Sequence, residues 1–234
     1  MSQFLVGTSG FSYPSWRGAF YPDDVPQRAW LAYYAERFPT VEINNTFYRM
    51  PKPELLEGWR GQVGDAFRFA LKAPQRITHH QRLKPESLDG AVEFVRRAGA
   101  LGEQRGPLLF QLPPNLRADP PRLDAFLAAL PEGVEAAVEF RHESWHADET
   151  YQVLEARRAA LCIADTESLT TPLVATAPFG YVRLRREDYA DGELASWAER
   201  LGAVARWQRT YVYLKHDEAG RAPALARVFL DALG

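Results

Sequence analysis

The amino-acid sequence predicts an α/β fold of the (β/α)8, TIM-barrel-like type, in which eight parallel strands form a closed barrel. Short β-rich runs alternate with amphipathic segments along almost the whole chain, a pattern typical of repeated βα units. The chain has 234 residues, and a barrel of this type typically has about 250. We expect one domain over residues 1–234, with strands at Phe4–Ser9, Thr40–Thr46, Phe67–Ala73, Pro107–Leu112, Ala136–Arg141, Ala160–Asp165, Gly180–Arg185 and Thr210–Lys215.

Helical patterns follow most of these strands. They cover Gln27–Phe38, Leu88–Leu101, Pro121–Leu130, Glu149–Ala159, Glu193–Arg206 and Pro223–Leu233. Ser87 and Asp148 are candidate N-caps. The segment Ser168–Pro178 has no helical pattern, so the crossover between strands six and seven is expected to be irregular. A doubly wound open sheet is the alternative, but Gly7–Phe11, into which the first strand leads, is neither a dinucleotide fingerprint nor a P-loop.

Composition restricts the classes of function. The formal net charge is -2 and the sequence pI is about 6.2, which argues against nucleic acid as a partner while leaving it as an alternative. The single cysteine, Cys162, excludes an internal disulfide and is expected to face a helix as a packing residue. No apolar run approaches bilayer length and no secretory signal is recognisable, so we expect a cytoplasmic protein with no membrane partner. The oligomeric state stays open.

Alternation along the strands predicts which side chains enter the barrel. In strand three, Phe67, Phe69 and Leu71 must face the helices, which sends Lys72 inward. The same alternation places the following residues inside: Glu42, Asn44, Arg68, Ala70, Glu139, Arg141, Tyr181, Arg183, Arg185, Tyr211, Tyr213 and Lys215. Gln111 and Asp165 end their strands, where the alternation is less decisive.

Ionisable and amide side chains therefore gather at the C-terminal ends of the strands, where barrel enzymes carry their active sites. Because cations outnumber carboxylates there, we expect a small anionic ligand, phosphorylated or carboxylated. The candidate catalytic residues, for acid–base chemistry, are Glu42, Lys72, Glu139 and Asp165. The candidate substrate-binding residues at the strand ends are Asn44, His79, Gln111, Arg141, Arg183 and Lys215. The alternative is a network of charges that neutralise one another and merely plug the barrel.

Aromatic residues in the loops are further candidates for substrate binding. Tyr13 and Trp16 follow strand one, Tyr48 follows strand two and Trp145 follows strand five. Such rings stack on sugars or bases. A hydrophobic cluster that closes one end of the barrel and holds down the first loop is an equally good interpretation.

Other chemistries have weaker support. His142–His146 spells H-E-x-x-H, but it falls in a loop after a strand, so the helical spacing that zinc requires is absent. Glu42, Glu139, Asp165, His79 and His216 are possible ligands for another metal geometry, but nearby Lys72, Arg141 and Lys215 would repel a cation. We therefore predict no metal and no cofactor.

Several functions stay open at this point. A glycosidase would use Glu42 and Glu139 as a carboxylate pair, and Lys72 would serve as a base or a Schiff-base nucleophile if its pKa were lowered. A metal-assisted phosphodiester hydrolase, a nucleic-acid-binding protein and a non-catalytic barrel are the remaining alternatives. Whether the chain is an enzyme is undecided; a hydrolase or a lyase is the class expected if it is.

Ordered motifs along nearly the whole chain carry a family resemblance. They include Gly7–Phe11, Thr40–Asn44, Lys72–Pro74, Gly106–Pro114, Val138–His142 and Tyr181–Leu184. With these motifs the chain resembles the uncharacterised YecE-like family, domain-of-unknown-function family 72. The resemblance implies a TIM-barrel-like fold and no established reaction. Where the family usually has His-Gly after strand seven and paired asparagines after strand eight, this chain has Arg185-Arg186 and Lys215-His216, which favours a more anionic ligand.

Overall fold

The computed structural model describes residues 3–215 and 219–234 of the chain. In these ranges eight parallel strands close into one barrel in chain order, so the predicted (β/α)8 fold is confirmed. The strands are β1 (Gln3–Ser9), β2 (Thr40–Ile43), β3 (Arg68–Lys72), β4 (Arg105–Gln111), β5 (Ala136–Glu139), β6 (Ala160–Asp165), β7 (Phe179–Leu184) and β8 (Arg209–Leu214). The helices are α1 (Trp30–Ala35), α2 (Pro53–Arg60), α3 (Leu88–Ala98), α4 (Pro120–Ala128), α5 (Asp148–Ala156), α6 (Glu193–Gly202) and α7 (Arg221–Asp231).

The connections between the strands are not all alike. Residues 166–178, between β6 and β7, hold no helix. Helix α2 lies between β2 and β3, and it escapes the pattern because its eight residues bury only Leu56. The second strand ends at Ile43 because Asn45–Phe47 forms a 3-10 turn. Considering every described helix, none is both long enough and apolar enough to cross a bilayer.

The predicted helix caps are only partly correct. Ser87 precedes α3, but its hydroxyl donates to the Lys84 carbonyl oxygen (2.7 Å) and does not cap the helix. Asp148 is the first residue of α5 and not its N-cap, so that prediction is wrong. A side-chain cap occurs at α4 instead, where Asp119 Oδ1 accepts from the Arg122 backbone N–H (3.1 Å).

Bulky residues of β7 and β8 fill the barrel interior against small residues of the other strands. Phe179, Tyr181, Tyr211 and Tyr213 form one buried cluster that also contains Leu5, Ala70, Leu109, Ala137, Ala160 and Cys162. Large side chains on one wall thus interdigitate with small ones on the other, as close packing requires. The predicted inward direction of Ala70, Tyr181, Tyr211 and Tyr213 is therefore confirmed.

The expectation that Cys162 faces a helix is wrong. Cys162 is fully buried in the interior cluster, while Leu161 and Ile163 belong to the outer one. Its register partner on β7 is Tyr181, and paired residues of neighbouring parallel strands point to the same face of the sheet. Burial raises the pKa of the Cys162 thiol well above its ordinary value, so the residue has a packing role.

Gly7 of β1 allows Thr40 of β2 and Tyr34 of α1 to approach the backbone of β1 closely. A Cβ on Gly7 would overlap the Thr40 carbonyl oxygen and lie 2.9 Å from the Tyr34 hydroxyl. We expect Gly7→Ala to lower the free energy of unfolding by about 3 kcal/mol, since neither neighbour has room to move. Gly58→Ala is the matched control: Gly58 lies in α2 with nothing within 4 Å of its added Cβ, and the change should be stabilising by about 0.5–1 kcal/mol. Urea unfolding measures both, and equal midpoints would contradict the prediction.

Candidate functional site

One arginine joins two carboxylates at the C-terminal end of the barrel. Arg183 of β7 donates through one terminal nitrogen to Glu42 Oε1 (2.8 Å) and through the other to Glu139 Oε2. No more than 2% of any of these three side chains is exposed. The neutralising network considered from the sequence therefore describes this inner layer of charge, which we call the inner triad.

Glu42 is held by a full set of donors. Ser9 Oγ (2.7 Å) and Asn44 Nδ2 (3.1 Å) donate to the same Oε1 as Arg183, and the Tyr181 hydroxyl donates to Oε2 (2.7 Å). Burial raises the pKa of Glu42, but the charge of Arg183 and these hydrogen bonds outweigh it and hold the pKa at about 2. Glu42 is therefore ionised at neutral pH and is a poor proton donor.

Glu139 is also hydrogen-bonded and ionised. Gln111 Nε2 donates to its Oε1 (2.8 Å), and a terminal nitrogen of Arg185 lies 3.8 Å from the same oxygen. Burial raises the pKa of Glu139, while the charges of Arg183 and Arg185 outweigh it and keep the pKa below its ordinary value. Both candidate carboxylates are thus fixed anions, and proton transfer must involve another group.

The ammonium of Lys72 titrates close to neutral pH. Its ammonium lies 4.1 Å from the centre of the Phe47 ring, and within the described ranges it has no hydrogen bond or ion pair. Burial, reinforced by the charge of Arg183, lowers the pKa of Lys72 to about 8 against the opposing effect of Glu139 and Glu42. A neutral amine is therefore accessible at physiological pH.

Two arginine donors, one on β7 and one directly after it, are buried without an acceptor. Within the described part of the chain, neither Arg183 Nε nor Arg185 Nε has a hydrogen-bond partner. The charges of both arginines lower the pKa of Lys72. Because buried donors are normally satisfied, unpartnered ones of this kind fit a site that receives an acceptor from a ligand.

His79 and Arg141 complete the opening above the inner triad, and we call the region bounded by Lys72, His79, Arg141 and Arg185 the mouth. Burial, followed by the charges of Lys72 and Arg141, lowers the pKa of His79 to about 4. Its ring meets Phe47 edge-on (4.9 Å) and its Nδ1 hydrogen-bonds with Thr78 Oγ1 (2.9 Å). His79 is therefore neutral at physiological pH, whereas Arg141 is exposed and charged.

Asp165 is held in an ion pair of its own, and Lys215 lies beside the end of β7. Asp165 accepts from Thr170 Oγ1 (2.7 Å) and pairs with Arg186 (2.9 Å), so its carboxylate belongs to a separate ion pair. Lys215 is half-buried just after β8, where its backbone N–H donates to the Leu184 carbonyl oxygen (3.0 Å). His216 lies outside the described residues.

The four candidate aromatic residues fall into two groups. Trp145 is 1% exposed, stacks on Phe140 (4.7 Å) and donates to a backbone carbonyl, while Trp16 is fully buried beside Tyr13 (4.9 Å). Both tryptophans lie in the hydrophobic packing, and the half-buried Tyr13 donates to the Ser9 carbonyl oxygen (2.7 Å). Tyr48, by contrast, is 76% exposed.

The H-E-x-x-H stretch lacks helical geometry, as its loop position suggested. Glu143–Trp145 forms a single 3-10 turn, and His142 Nδ1 accepts from the Ser144 backbone N–H (3.1 Å). Over residues 3–215 and 219–234, no group of three or more His, Cys, Asp or Glu side chains is arranged to hold a metal ion.

The candidate list from the sequence omits Arg185 and Phe47. Strand alternation predicts that Arg185 lies inside the barrel, so the sequence contains enough information to include it among the candidate substrate-binding residues. Phe47 precedes Tyr48 in the same aromatic loop, but only the fold shows that its ring lies against both Lys72 and His79.

Comparison with known proteins identifies the family. The family model described as "Protein of unknown function DUF72" matches residues 5–234. The chain belongs to this family. The resemblance seen in the sequence motifs is therefore confirmed, and it brings no assigned reaction with it.

Two relatives and one distant neighbour illustrate the family and the fold. The protein YecE of Escherichia coli (strain K12) is 38% identical over 118 residues, 50% of this chain and 43% of YecE. The chain spans about half the length of the curated relatives it matches. A DUF72 protein of Thermotoga maritima MSB8 is 27% identical, with a TM-score of 0.87 over 99% of both chains. A D-psicose 3-epimerase shares the fold alone, with 8% identity and a TM-score of 0.54 over 100% of this chain and 97% of the epimerase.

Proposed function

We propose that this DUF72 chain is an enzyme for a small phosphorylated or carboxylated substrate. The substrate binds at the mouth of the barrel, and Lys72 transfers protons during its reaction. One observation carries the proposal. Within the described residues the Lys72 ammonium has no ion pair and lies 4.1 Å from the centre of the Phe47 ring, and the two arginines whose charges lower its pKa, Arg183 and Arg185, each have a buried Nε–H without an acceptor.

Charge balance supports an anionic ligand. The inner triad has one more negative than positive charge, because Arg183 is matched against both Glu42 and Glu139. Above it, Lys72, Arg141 and Arg185 add three cations when Lys72 is protonated. A bound phosphate or carboxylate would offset this excess and supply acceptors to the arginine donors.

The pKa values support different roles for Lys72 and for the two carboxylates. A lysine with a pKa of about 8 can take a proton from substrate or water and return it near neutral pH. Glu42 and Glu139 are ionised and hydrogen-bonded, so we assign them a positioning role: they orient Arg183 and stabilise the protonated form of Lys72. Proton transfer of this kind fits a hydrolase or a lyase.

The alternatives fit this geometry less well. A glycosidase needs two carboxylates that flank a sugar, and here the Arg183 guanidinium occupies the space between Glu42 and Glu139. The three carboxylates considered as metal ligands, Glu42, Glu139 and Asp165, are each already paired with an arginine. A neutral charge plug would need only one cation beyond the inner triad, whereas Lys72, Arg141 and Arg185 together supply three when Lys72 is protonated.

Thermal unfolding with inorganic phosphate tests the anion site. At constant ionic strength, phosphate at about 100 times its Kd should stabilise the chain by about 2.7 kcal/mol, equivalent to a rise in Tm of about 5–10 °C. Arg185→Met should abolish the rise. Arg96→Met is the control, since Arg96 is exposed on α3 and pairs with Glu93 (2.6 Å).

The control variant also separates specific from general effects. Phosphate strengthens burial in many proteins by exclusion from their surfaces, and that effect would be the same in every variant. An equal rise in Tm for wild type and Arg185→Met would therefore contradict the proposed anion site.

A further inference from the structure

A cavity lies beside the mouth, and Phe47 belongs to the wall that the two share. It has a volume of ≈ 580 Å³, and its lining includes Phe47, Tyr48, Met50, Ile77, Glu86 and Asp89. The centre of the same Phe47 ring lies 4.1 Å from Lys72 Nζ. A molecule held at Lys72 is therefore within contact distance of a residue that lines the cavity.

Two short turns build both compartments. Asn45–Phe47 follows β2 and places Phe47 in the shared wall. Arg76–His80 forms a π-helical turn soon after β3, a feature that is frequent at functional sites. Within this turn, His79 faces the mouth, where Lys72 and Arg141 lower its pKa, whereas His80 lines the cavity.

The lining selects the chemistry of an occupant. Tyr48 is 76% exposed and makes a T-shaped contact with Phe47, with 5.3 Å between ring centres, so much of its surface is open to a flat partner. Glu86 and Asp89 are exposed carboxylates on the lining, opposed there by the guanidinium of Arg76. Two negative charges against one positive charge disfavour a second anionic group and favour a neutral or cationic one.

We propose that this cavity is a second subsite for the same substrate, which accepts a flat neutral or cationic group stacked on Tyr48 while the anionic group binds at Lys72 and Arg185. The proposal rests on the proposed function and narrows its substrate class. The substrate has an anionic end and a flat end that carries no negative charge. The distances from Lys72 to Phe47 and from Phe47 to Tyr48 limit the span to that of a small molecule.

Isothermal titration calorimetry with three probes tests the subsite on the full chain. Phenyl phosphate should bind about 10-fold more tightly than inorganic phosphate, because its ring can stack on an aromatic side chain. We expect 4-carboxyphenyl phosphate to lose this gain, since its carboxylate would face Glu86 and Asp89. The double variant Glu86→Gln/Asp89→Asn should restore it.

Variants of Tyr48 show whether the gain comes from stacking. Tyr48→Ala should remove the advantage of phenyl phosphate and leave the Kd of inorganic phosphate unchanged, whereas Tyr48→Phe should keep both. Val92→Ala is the control, because Val92 is an exposed apolar residue of α3 outside the lining.

The outcomes separate the two proposals. If inorganic phosphate binds and phenyl phosphate binds no more tightly, the subsite is refuted and the proposed function stands. If phenyl phosphate binds in a Tyr48-dependent way and inorganic phosphate does not bind, the anion site is refuted and the cavity is supported. Failure of both probes overturns both proposals.

Discussion

Arg183→Met is expected to lower the free energy of unfolding by about 3–5 kcal/mol, the usual cost of removing one partner from a buried ion pair. The substitution leaves the carboxylates of Glu42 and Glu139 together in the barrel without their shared cation. Both are at most 2% exposed, so water cannot replace the lost donors. Because a domain is typically stable by only about 5–15 kcal/mol, this loss brings the variant close to unfolding at neutral pH.

The pH dependence of stability should change sign in this variant. In the wild type the pKa of Glu42 is lowered to about 2, so its contribution is present above pH 4.5 and is lost as the pH falls toward 2. Without Arg183, burial raises the pKa of Glu42 above its value in the unfolded chain. The variant should therefore gain stability as the pH falls from 7 to 5, where the wild type should not.

Urea unfolding at pH 5 and pH 7 measures both effects. Arg157→Met is the matched control, because Arg157 also makes two hydrogen bonds to a carboxylate, Asp124, but in an exposed pair. It should lose about 1 kcal/mol or less. If Arg183→Met loses no more stability than Arg157→Met, the inner triad is not the buried network described above. The same conclusion follows if the stability of Arg183→Met does not rise from pH 7 to pH 5.

Near pH 8, Lys72 is expected to react with an acylating reagent faster, relative to its exposed surface, than the other lysines of the described chain. With a pKa of about 8, about half of it is the neutral amine at that pH, compared with under about 1% for an ordinary lysine of pKa about 10.4. The reacting form is thus enriched by about 100-fold. Limited acetylation with acetic anhydride, followed by peptide mass spectrometry across pH 6–11, gives the midpoint directly, with the exposed Lys52 and Lys84 as internal references.

Neighbouring charges should move this midpoint in opposite directions. Arg185→Met removes a cation that lowers the pKa of Lys72, so the midpoint should rise. Glu139→Gln removes an anion that raises the pKa, so the midpoint should fall. Inorganic phosphate at the mouth should raise it, because a bound anion favours the ammonium. A midpoint near 10.4 that no variant changes would refute the role given to Lys72.

Local alternation explains how much of the site could be predicted from the sequence. Polar side chains between large apolar ones in strands three, five and seven correctly placed Lys72, Glu139 and Arg183 inside the barrel. Alternation carries no information about pairing between strands. It could not show that Arg183 is shared by two carboxylates, or that Asp165 is paired with Arg186.

The loops were harder to predict for the same physical reason. A tryptophan in a βα loop gains free energy either by packing inward or by stacking on a ligand, and both fit the same sequence. Trp16 and Trp145 pack inward, whereas Tyr48 remains exposed. Helix α2 was missed because its apolar face is short, and Cys162 because one small residue between Leu161 and Ile163 gives little sign of its direction.

The uneven filling of the barrel interior has a consequence for how the family can diverge. Tyrosines of β7 and β8 occupy the volume that the alanines Ala70, Ala137 and Ala160 leave free, so a larger residue on one wall requires a smaller one on the other. Tyr181, however, is also a hydrogen-bond donor to Glu42. Substitution of Tyr181 to accommodate a larger residue on the opposite wall would therefore also remove a hydrogen bond to Glu42. Evolutionary change in the packing of the core is linked at this position to change in the charged site.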